Sequence, residues 1–422
     1  MTNKIFIHID ADAFFASVEQ CLHRELRSKP IVTGRDGSIG VAMSYEAKSL
    51  GVERAMPIHL VRREFPTVQM VSSDYYMYGI YSNRMLSIIR DYVPDIKRKS
   101  VDECSAEITE VCESFDGARI LAEKIKEALE TKLGCTFSVG ISSSPLLAKM
   151  GSGMNKPAGL TIINPAVDHE YLLLPIRDVS GLGRKLCERL SGFGVVYVGD
   201  FIDMYPNIRK NFSVLTDDIY YQIQGMEATR ALKSEPQKSM NRARSFKVTN
   251  NVDEIFGQLV LNFEHLMRKM RFQGLVCNSI HISLKTAARI STGGNIRLPK
   301  HTRDVDTLLL HIKTLFYNLY SSAEAYRYVS VTLSSLTTMD HVQCDLFGES
   351  ENHKENEKIY TTVDVLEAKF GKPVVSFAST LSTPKGLGSH IKPGEYPITM
   401  QHPLLPGESI FRRVRYPFLG SI

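Results

Sequence analysis

An apolar strand that runs straight into carboxylates constrains this chain more than any other feature of its sequence. Residues 4–10 (Lys4-Ile5-Phe6-Ile7-His8-Ile9-Asp10) carry β-branched and aromatic types in strand-like alternation, and Asp10 ends the run. A second predicted strand, 100–109, sets Asp102 and Glu103 inside Ser100-Val101-Asp102-Glu103-Cys104. Carboxylates within strands are costly to bury unless something neutralises them. A divalent ion neutralises several at once, and hard oxygen ligands select Mg²⁺ or Mn²⁺. Taken singly, the same residues also read as a helix cap at Asp10 and a solvent-facing pair at Asp102 and Glu103.

The pattern around these strands is mixed. Ala13 to Leu22 reads as a helix with Asp12 as its N-cap. Tyr76 to Asp91 reads as helical. Asp116-Gly117 opens an amphipathic helix with Ile120, Leu121, Ile125, Ala128 and Leu129 on one side, stopped at Gly134. Thr136 to Ile141 is a third strand, and Ser144-Pro145 starts another helix. Strands and helices alternate to about Ile163, whereas residues 175–232 are helical and residues 233–241 have the polar, Pro-containing make-up of a linker. Beyond it, strands near 245–249, 279–285 and 328–336 and helices near 253–272 and 304–320 predict a second α+β domain. Glu349 to Glu357 is acidic and polar and reads as an exposed, mobile stretch. The fold class is therefore α+β and multidomain, as expected for 422 residues, a length that exceeds one hydrophobic core.

Charge is unevenly placed. The chain carries a net charge of +5, yet Met240 to Arg303 alone holds eleven Lys or Arg against three Asp or Glu. Such segregation suggests a polyanionic partner for the second domain, although a charge run is also how a solvated face looks. The seven cysteines are scattered with no C-x-x-C spacing, which argues against a disulfide framework or zinc site and for reduced thiols in a cytoplasmic protein. No apolar run reaches the length of a membrane span, and Asp10 and Asp12 interrupt the only apolar start that an export signal would need.

The stretches His8-Ile9-Asp10-Ala11-Asp12-Ala13-Phe14-Phe15-Ala16-Ser17-Val18-Glu19 and Ser100-Val101-Asp102-Glu103 together resemble the Y-family DNA polymerases, the DinB and UmuC group. Three further motifs fit in order: Ser44-Tyr45-Glu46-Ala47-Lys48-Ser49-Leu50-Gly51-Val52, Val139-Gly140-Ile141-Ser142 and Met154-Asn155-Lys156-Pro157-Ala158-Gly159. The resemblance covers roughly residues 1–380 and implies a right-hand architecture: palm at 1–18 and 76–165, fingers at 19–75, helical thumb at 166–233, linker at 234–242, little finger at 243–340 and a tail at 341–422.

It also implies roles. Asp10, Asp102 and Glu103 would be catalytic and, with the Ala11 carbonyl, would hold two Mg²⁺ ions, for which Mn²⁺ can substitute. Phe14 and Phe15 would line the nucleotide site, with Phe15 as the steric gate against ribose. Tyr45, Lys48 and Lys156 would clamp the triphosphate; Lys48 stands where the DinB pattern most often has Arg, so a point charge replaces a planar fork. Gly40-Val41-Ala42-Met43, lacking a large aromatic, would roof the new base pair loosely and permit low-fidelity synthesis past damaged bases. Gly181, Gly183 and Arg184 fit a helix-hairpin-helix turn that binds a DNA phosphate, though an ordinary helix–helix turn has the same look. Arg242, Arg244 and Lys247 would contact the duplex backbone. Gln343, Leu346 and Phe347 resemble the peptide by which bacterial polymerases engage the sliding clamp. The partners implied are primer–template DNA, deoxynucleoside triphosphates and the clamp, for a monomer that binds no membrane. Two other readings stay open: a catalytically weak adaptor that recruits other polymerases to the clamp, and another two-metal palm enzyme such as a nucleotide cyclase.

Overall fold

The structure, a computed structural model, describes residues 4–34, 38–226, 237–339, 350–370, 375–381 and 383. The described residues divide into two compact units, the first within 4–226 and the second within 237–383.

The first unit is built on a five-stranded sheet. β1 (Phe6–Ala11) lies at its centre, paired antiparallel to β6 (Glu103–Glu107) on one side and to β7 (Phe137–Ser142) on the other. β5 (Lys97–Arg98) and β8 (Leu160–Ile163) complete the order β5-β6-β1-β7-β8. Side chains alternate along a strand, so His8 and Asp10 share one face while Ile7 and Ile9 share the other with Val139 and Ile141. α5 (Phe115–Leu133), capped by the Ser114 hydroxyl and closed by Gly134 at φ 74°, buries Ala118, Ala122, Ile125, Leu129 and Leu133. The apolar stripe expected through Ile120 is thus rotated. Ile120 is 54% exposed, because two alanines rather than the larger residues let the helix approach its neighbours.

α6 (Pro145–Met154) starts on the Ser144 cap as expected and packs directly on the sheet at Gly140. A Cβ at Gly140 would lie 1.9 Å from the Ala148 carbonyl oxygen and 2.4 Å from the Ser152 nitrogen. Gly140 stands opposite His8 in the register, so this contact seats α6 on the face that bears Asp10.

Around the sheet lie α1 (Phe14–Leu22) and α4 (Tyr75–Arg90), the latter capped by Asp74. A small second sheet orders β3 (Ala42–Met43), β2 (Ile31–Thr33) and β4 (Gln69–Val71), joined by the short helices α2 (Tyr45–Ser49) and α3 (Ile58–Glu64). α7 (Arg184–Ser191), α8 (Val198–Ile208) and α9 (Val214–Ile223) gather around Leu190, Phe201, Tyr205 and Ile223, and they are the helical stretch expected from the sequence.

The second unit is a four-stranded sheet, β11-β10-β12-β9, made of β9 (Ser239–Thr249), β10 (Leu275–Thr286), β11 (Ser291–Thr302) and β12 (Tyr326–Ser334), with β13 (Thr337–Thr338) beside β10. α10 (Val252–Phe272) and α11 (Val305–Leu319) cover one face over a core that includes Phe263, Ile282, Phe316 and Val331. β11, with Gly293, Gly294 and Pro299 among polar residues, has little apolar alternation and was not foreseen. Two expectations need correction. β9 begins at Ser239, inside the stretch read as linker, and α12 (Ser350–Phe370) is helical where an unstructured acidic run was expected. α12 is held to α10 by a bidentate pair from Arg271 to Asp364 (2.7 and 2.8 Å) and by Arg268 to Glu367 (3.0 Å).

Because α6 rests on bare backbone at Gly140, Gly140→Ala should destabilise the first unit by about 3 kcal/mol or more. A chemical-denaturation midpoint equal to that of the wild type would contradict this packing.

Candidate active site

β1 and β6 place the first two carboxylates. Asp10 and Glu103 are direct partners across the antiparallel pair, and the Ala11 N–H donates to the Asp102 carbonyl at 2.9 Å one step further on. Asp102 itself lies in the bend just before β6, not inside a strand, and its carboxylate accepts a hydrogen bond from the Ser100 hydroxyl. His8 stands two residues before Asp10 on the same face. One ligand atom each from His8, Asp10 and Glu103 lies within 4.8 Å of the others, a group that could hold a metal ion. Asp102 is not part of that group.

Two lysines converge on this face. Lys149, carried over the sheet by α6, donates to Glu103 at 2.8 Å, and Lys156 donates to Asp10. Burial pushes the Asp10 carboxyl up to about 6 although Lys156 opposes it, and the negative charges of Asp102 and Glu103 add to the rise. Burial brings His8 down to about 4, against the pull of Glu103. His8 is 1% exposed and its Nε2 has no hydrogen-bond partner. A neutral buried imidazole with an idle lone pair, beside two carboxylates, is a donor set that suits a cation. Lys149 and Lys156 supply two positive charges beside these carboxylates.

Asp12 does something the sequence reading missed. It was expected to cap the helix, but the cap position is Ala13 at φ 46°, with no side-chain cap bond. Asp12 is instead fully buried and accepts from the Ala158 N–H (2.7 Å) and the Ser138 hydroxyl (2.8 Å). It therefore pins the turn that carries Lys156, whose Nζ lies 3.9 Å from Asp12. Tyr45, the first residue of α2, hydrogen-bonds Asp12; burial and the charges of Asp12 and Asp10 hold its hydroxyl protonated. Lys48 sits 4.0 Å over the Tyr45 ring, with its ammonium pKa lowered by burial and then by Lys156. Tyr45, Lys48 and Lys156 are thus gathered beside Asp10, as a clamp for an anion would require.

Phe14 and Phe15 open α1. Phe14 is buried, whereas Phe15 is half-buried and stacks flat on Tyr78, with ring centroids 4.2 Å apart and planes 11° apart. The Tyr78 hydroxyl donates to the buried Glu19 at 2.5 Å, and Glu19 also accepts from the Asp74 N–H at 3.0 Å. Neither Tyr78 nor Glu19 was singled out from the sequence. The spacing of Phe15 and Glu19, one helical turn apart, was the available signal.

Elsewhere the expected residues divide. Gly181 has φ 95° and Gly183 caps α7, so the turn has the backbone form expected there. Arg184 is exposed and 3.7 Å from Glu188. Arg242 and Arg244 are in register with the buried Val331 and Val329, which aims both toward the helix-covered face at the sheet edge. Arg244 reaches Gln258 at 3.4 Å and burial lowers its pKa, so it is not presented to solvent like Lys247. The sheet face opposite α10 and α11 carries His281, Ser283, Lys285, Tyr328 and Thr332. Gln343, Leu346 and Phe347 lie outside the described residues. No helix among the described residues is long and apolar enough to cross a membrane.

Fold and site together define a multidomain α+β protein whose central sheet carries an acidic cluster able to take a cation. Residues 9–153 match the impB/mucB/samB family and residues 237–346 its C-terminal domain, together more than half the chain. The chain belongs to this family, the Y-family of DNA-directed DNA polymerases. It is 29% identical to the DNA polymerase IV of Desulfatibacillum aliphaticivorans over 90% of this chain and 98% of that protein. Against the DNA polymerase kappa of Arabidopsis thaliana it is 29% identical over 74% of this chain and 47% of the relative. Among solved structures, a Y-family DNA polymerase chimera of Dbh and Dpo4 superposes with a TM-score of 0.67 at 22% identity, over 79% of this chain and 99% of the other.

The Asp12 anchor makes a distinct prediction. Asp12→Ala strands the Ala158 N–H and frees the Lys156 turn, so thermal unfolding should show a loss of about 1–3 kcal/mol. An unchanged unfolding free energy would contradict the anchor.

Proposed function

We propose that this chain extends primed DNA by template-directed nucleotidyl transfer, with low fidelity and past damaged bases. The observation that carries the reading is the pairing of Asp10 with Glu103 across adjacent strands, with Asp102 tied to the Ala11 backbone and Tyr45, Lys48 and Lys156 gathered alongside. In the proposed assignment the palm is 1–18 and 76–165, the fingers 19–75, the thumb 166–233 and the little finger 243–340.

Asp10, Asp102 and Glu103, with the Ala11 carbonyl, would hold two divalent ions; two Mg²⁺ supply a Lewis acid for the primer hydroxyl and for the departing pyrophosphate. With those ions bound, Lys149 and Lys156 would no longer be needed to neutralise the carboxylates, and Lys156 would hold the triphosphate with Lys48 and Tyr45. Asp10 must lose its proton for this, so metal affinity should weaken as pH falls through about 6. Phe15, braced flat on Tyr78, would lie under the deoxyribose and exclude a 2′-hydroxyl. The small residues Gly40 to Met43 would leave the base pair loosely covered, which favours damaged templates at the expense of accuracy. The basic second unit would add phosphate contacts with steep salt dependence, Lys247 among them. Gln343, Leu346 and Phe347 would supply clamp binding.

The test is primer extension on an undamaged template with Mg²⁺ and all four deoxynucleotides. Wild type should give short, error-prone products, and Asp102→Ala should lower the rate at least ~10³-fold with its unfolding midpoint unchanged. Robust synthesis by that variant would remove the metal assignment. No synthesis by either, despite tight binding of primer–template, would favour an adaptor. Phe15→Ala should admit ribonucleotides with roughly 10²-fold or greater loss of sugar discrimination; single-nucleotide insertion with matched ribo- and deoxynucleotides measures it, and unchanged selectivity would dismiss the gate.

A further inference from the structure

Two cysteines that are distant in sequence meet in the first unit. Cys21 lies in the last turn of α1, and Cys135 follows Gly134, the residue that closes α5, two positions before β7. Their sulfurs are 3.3 Å apart, across 114 positions of chain. Gly134 helps make the approach possible: its left-handed backbone turns the chain, and a Cβ there would already lie 3.4 Å from the Cys21 sulfur. Cys21 is half-buried and within reach of a small reagent, whereas Cys135 is only 3% exposed. Among the described cysteines no other sulfur pair is in contact; Cys104, Cys112, Cys187 and Cys277 each stand apart from another thiol.

We infer that Cys21 and Cys135 form a reversible redox site, closing to an intramolecular disulfide when a small peroxide reaches Cys21. The electrostatics agree with this order of events. Either thiol can donate across the contact; that contact, with Arg27 nearby, lowers the pKa of the more exposed Cys21, while the contact and deep burial hold Cys135 protonated well above the usual thiol range. Cys21 is therefore the thiolate that reacts first. Its sulfur attacks a peroxide oxygen, the O–O bond breaks, and hydroxide leaves to take up a proton as water. The product is a sulfenic acid at Cys21. The Cys135 sulfur then attacks the Cys21 sulfur, the S–O bond breaks, and the departing hydroxide takes the Cys135 proton as a second water. Two thiols are oxidised by two electrons and one peroxide is reduced to two waters. A dithiol reverses the bond by exchange.

Bonded sulfurs sit ~2.0 Å apart, so closure brings the two sulfurs roughly 1.3 Å closer and links the end of α1 to the loop before β7. That loop is tied to the acidic cluster, since the Thr136 carbonyl accepts from the Asp12 N–H at 3.0 Å. The site thus joins the far end of the helix bearing Phe15 to the strand beside Asp10, and the closed form resists unfolding because a long loop is constrained.

The test uses the full-length reduced protein under native conditions, treated with hydrogen peroxide, quenched, alkylated after denaturation and mapped by peptide mass spectrometry. The wild type should lose the Cys21 and Cys135 thiols together, roughly tenfold faster than Cys187, and give one linked peptide that dithiothreitol separates. Its unfolding temperature should rise on oxidation and return on reduction. Cys135→Ala should stop at a Cys21 sulfenic acid trapped by a carbon-acid probe, and Cys21→Ala should leave Cys135 reduced. If wild-type Cys21 accumulates the trapped sulfenic acid while Cys135 stays alkylatable, or if Cys21 reacts no faster than Cys187, the inference fails.

Discussion

The antiparallel pairing of β1 with β6 governs the arrangement of everything around it in the first unit. Because directly opposed residues share a face, Asp10 and Glu103 are forced together, with His8 two residues away on the same side. Burying Asp10 is costly, and its rise toward 6 is the sign of that cost, driven first by burial and increased by the charges of Asp102 and Glu103. The chain offsets it by bringing cations in from elsewhere. α6 delivers Lys149 only because Gly140 lets the helix rest on bare backbone, and Asp12 delivers Lys156 by pinning the turn at Ala158. Both devices position lysines.

The same logic separates rigid parts from replaceable ones. Phe15 is braced by Tyr78, whose hydroxyl satisfies the buried Glu19, so the ring has a fixed floor rather than a loose pocket. The second unit is organised differently. Its apolar faces meet under α10 and α11, and α12 straps the outer side of α10 through Arg271 and Arg268. Two of the eleven basic residues of its central stretch, Arg268 and Arg271, therefore hold the unit together, and Arg244 is turned onto Gln258. The net charge of that stretch overstates what is available to a polyanion.

Much of this was readable from residue order. β1, α4, α5 and α6 were expected from their periodicity, with Ser144-Pro145 starting α6 and Gly134 ending α5, whereas the caps of α4 and α5, Asp74 and Ser114, stand two residues before the starts expected at Tyr76 and Asp116. Asp10, Glu103, Tyr45, Lys48 and Lys156 were singled out because their motifs occur in order, and the structure gathers them together. What was not legible depends on contacts distant in sequence. Asp12 looked like a helix cap because Ser and Asp before an apolar run usually are; its true partners, Ser138 and Ala158, are more than a hundred residues away. β11 was missed because its polar, glycine-bearing sequence lacks alternation and it forms only as an edge beside β10. The placement of Asp102 in a bend escaped notice for a similar reason, since strand propensity says nothing about where a ladder starts.

The central claim is that the face shared by Asp10 and Glu103 takes a divalent ion. Manganese binding followed by electron paramagnetic resonance, on the protein with primer–template and an incoming nucleotide, tests it most directly. The account predicts tight binding by the wild type that weakens at least ~10²-fold in Asp10→Asn, with the free protein still folded. Equal manganese affinity in the two proteins would contradict it.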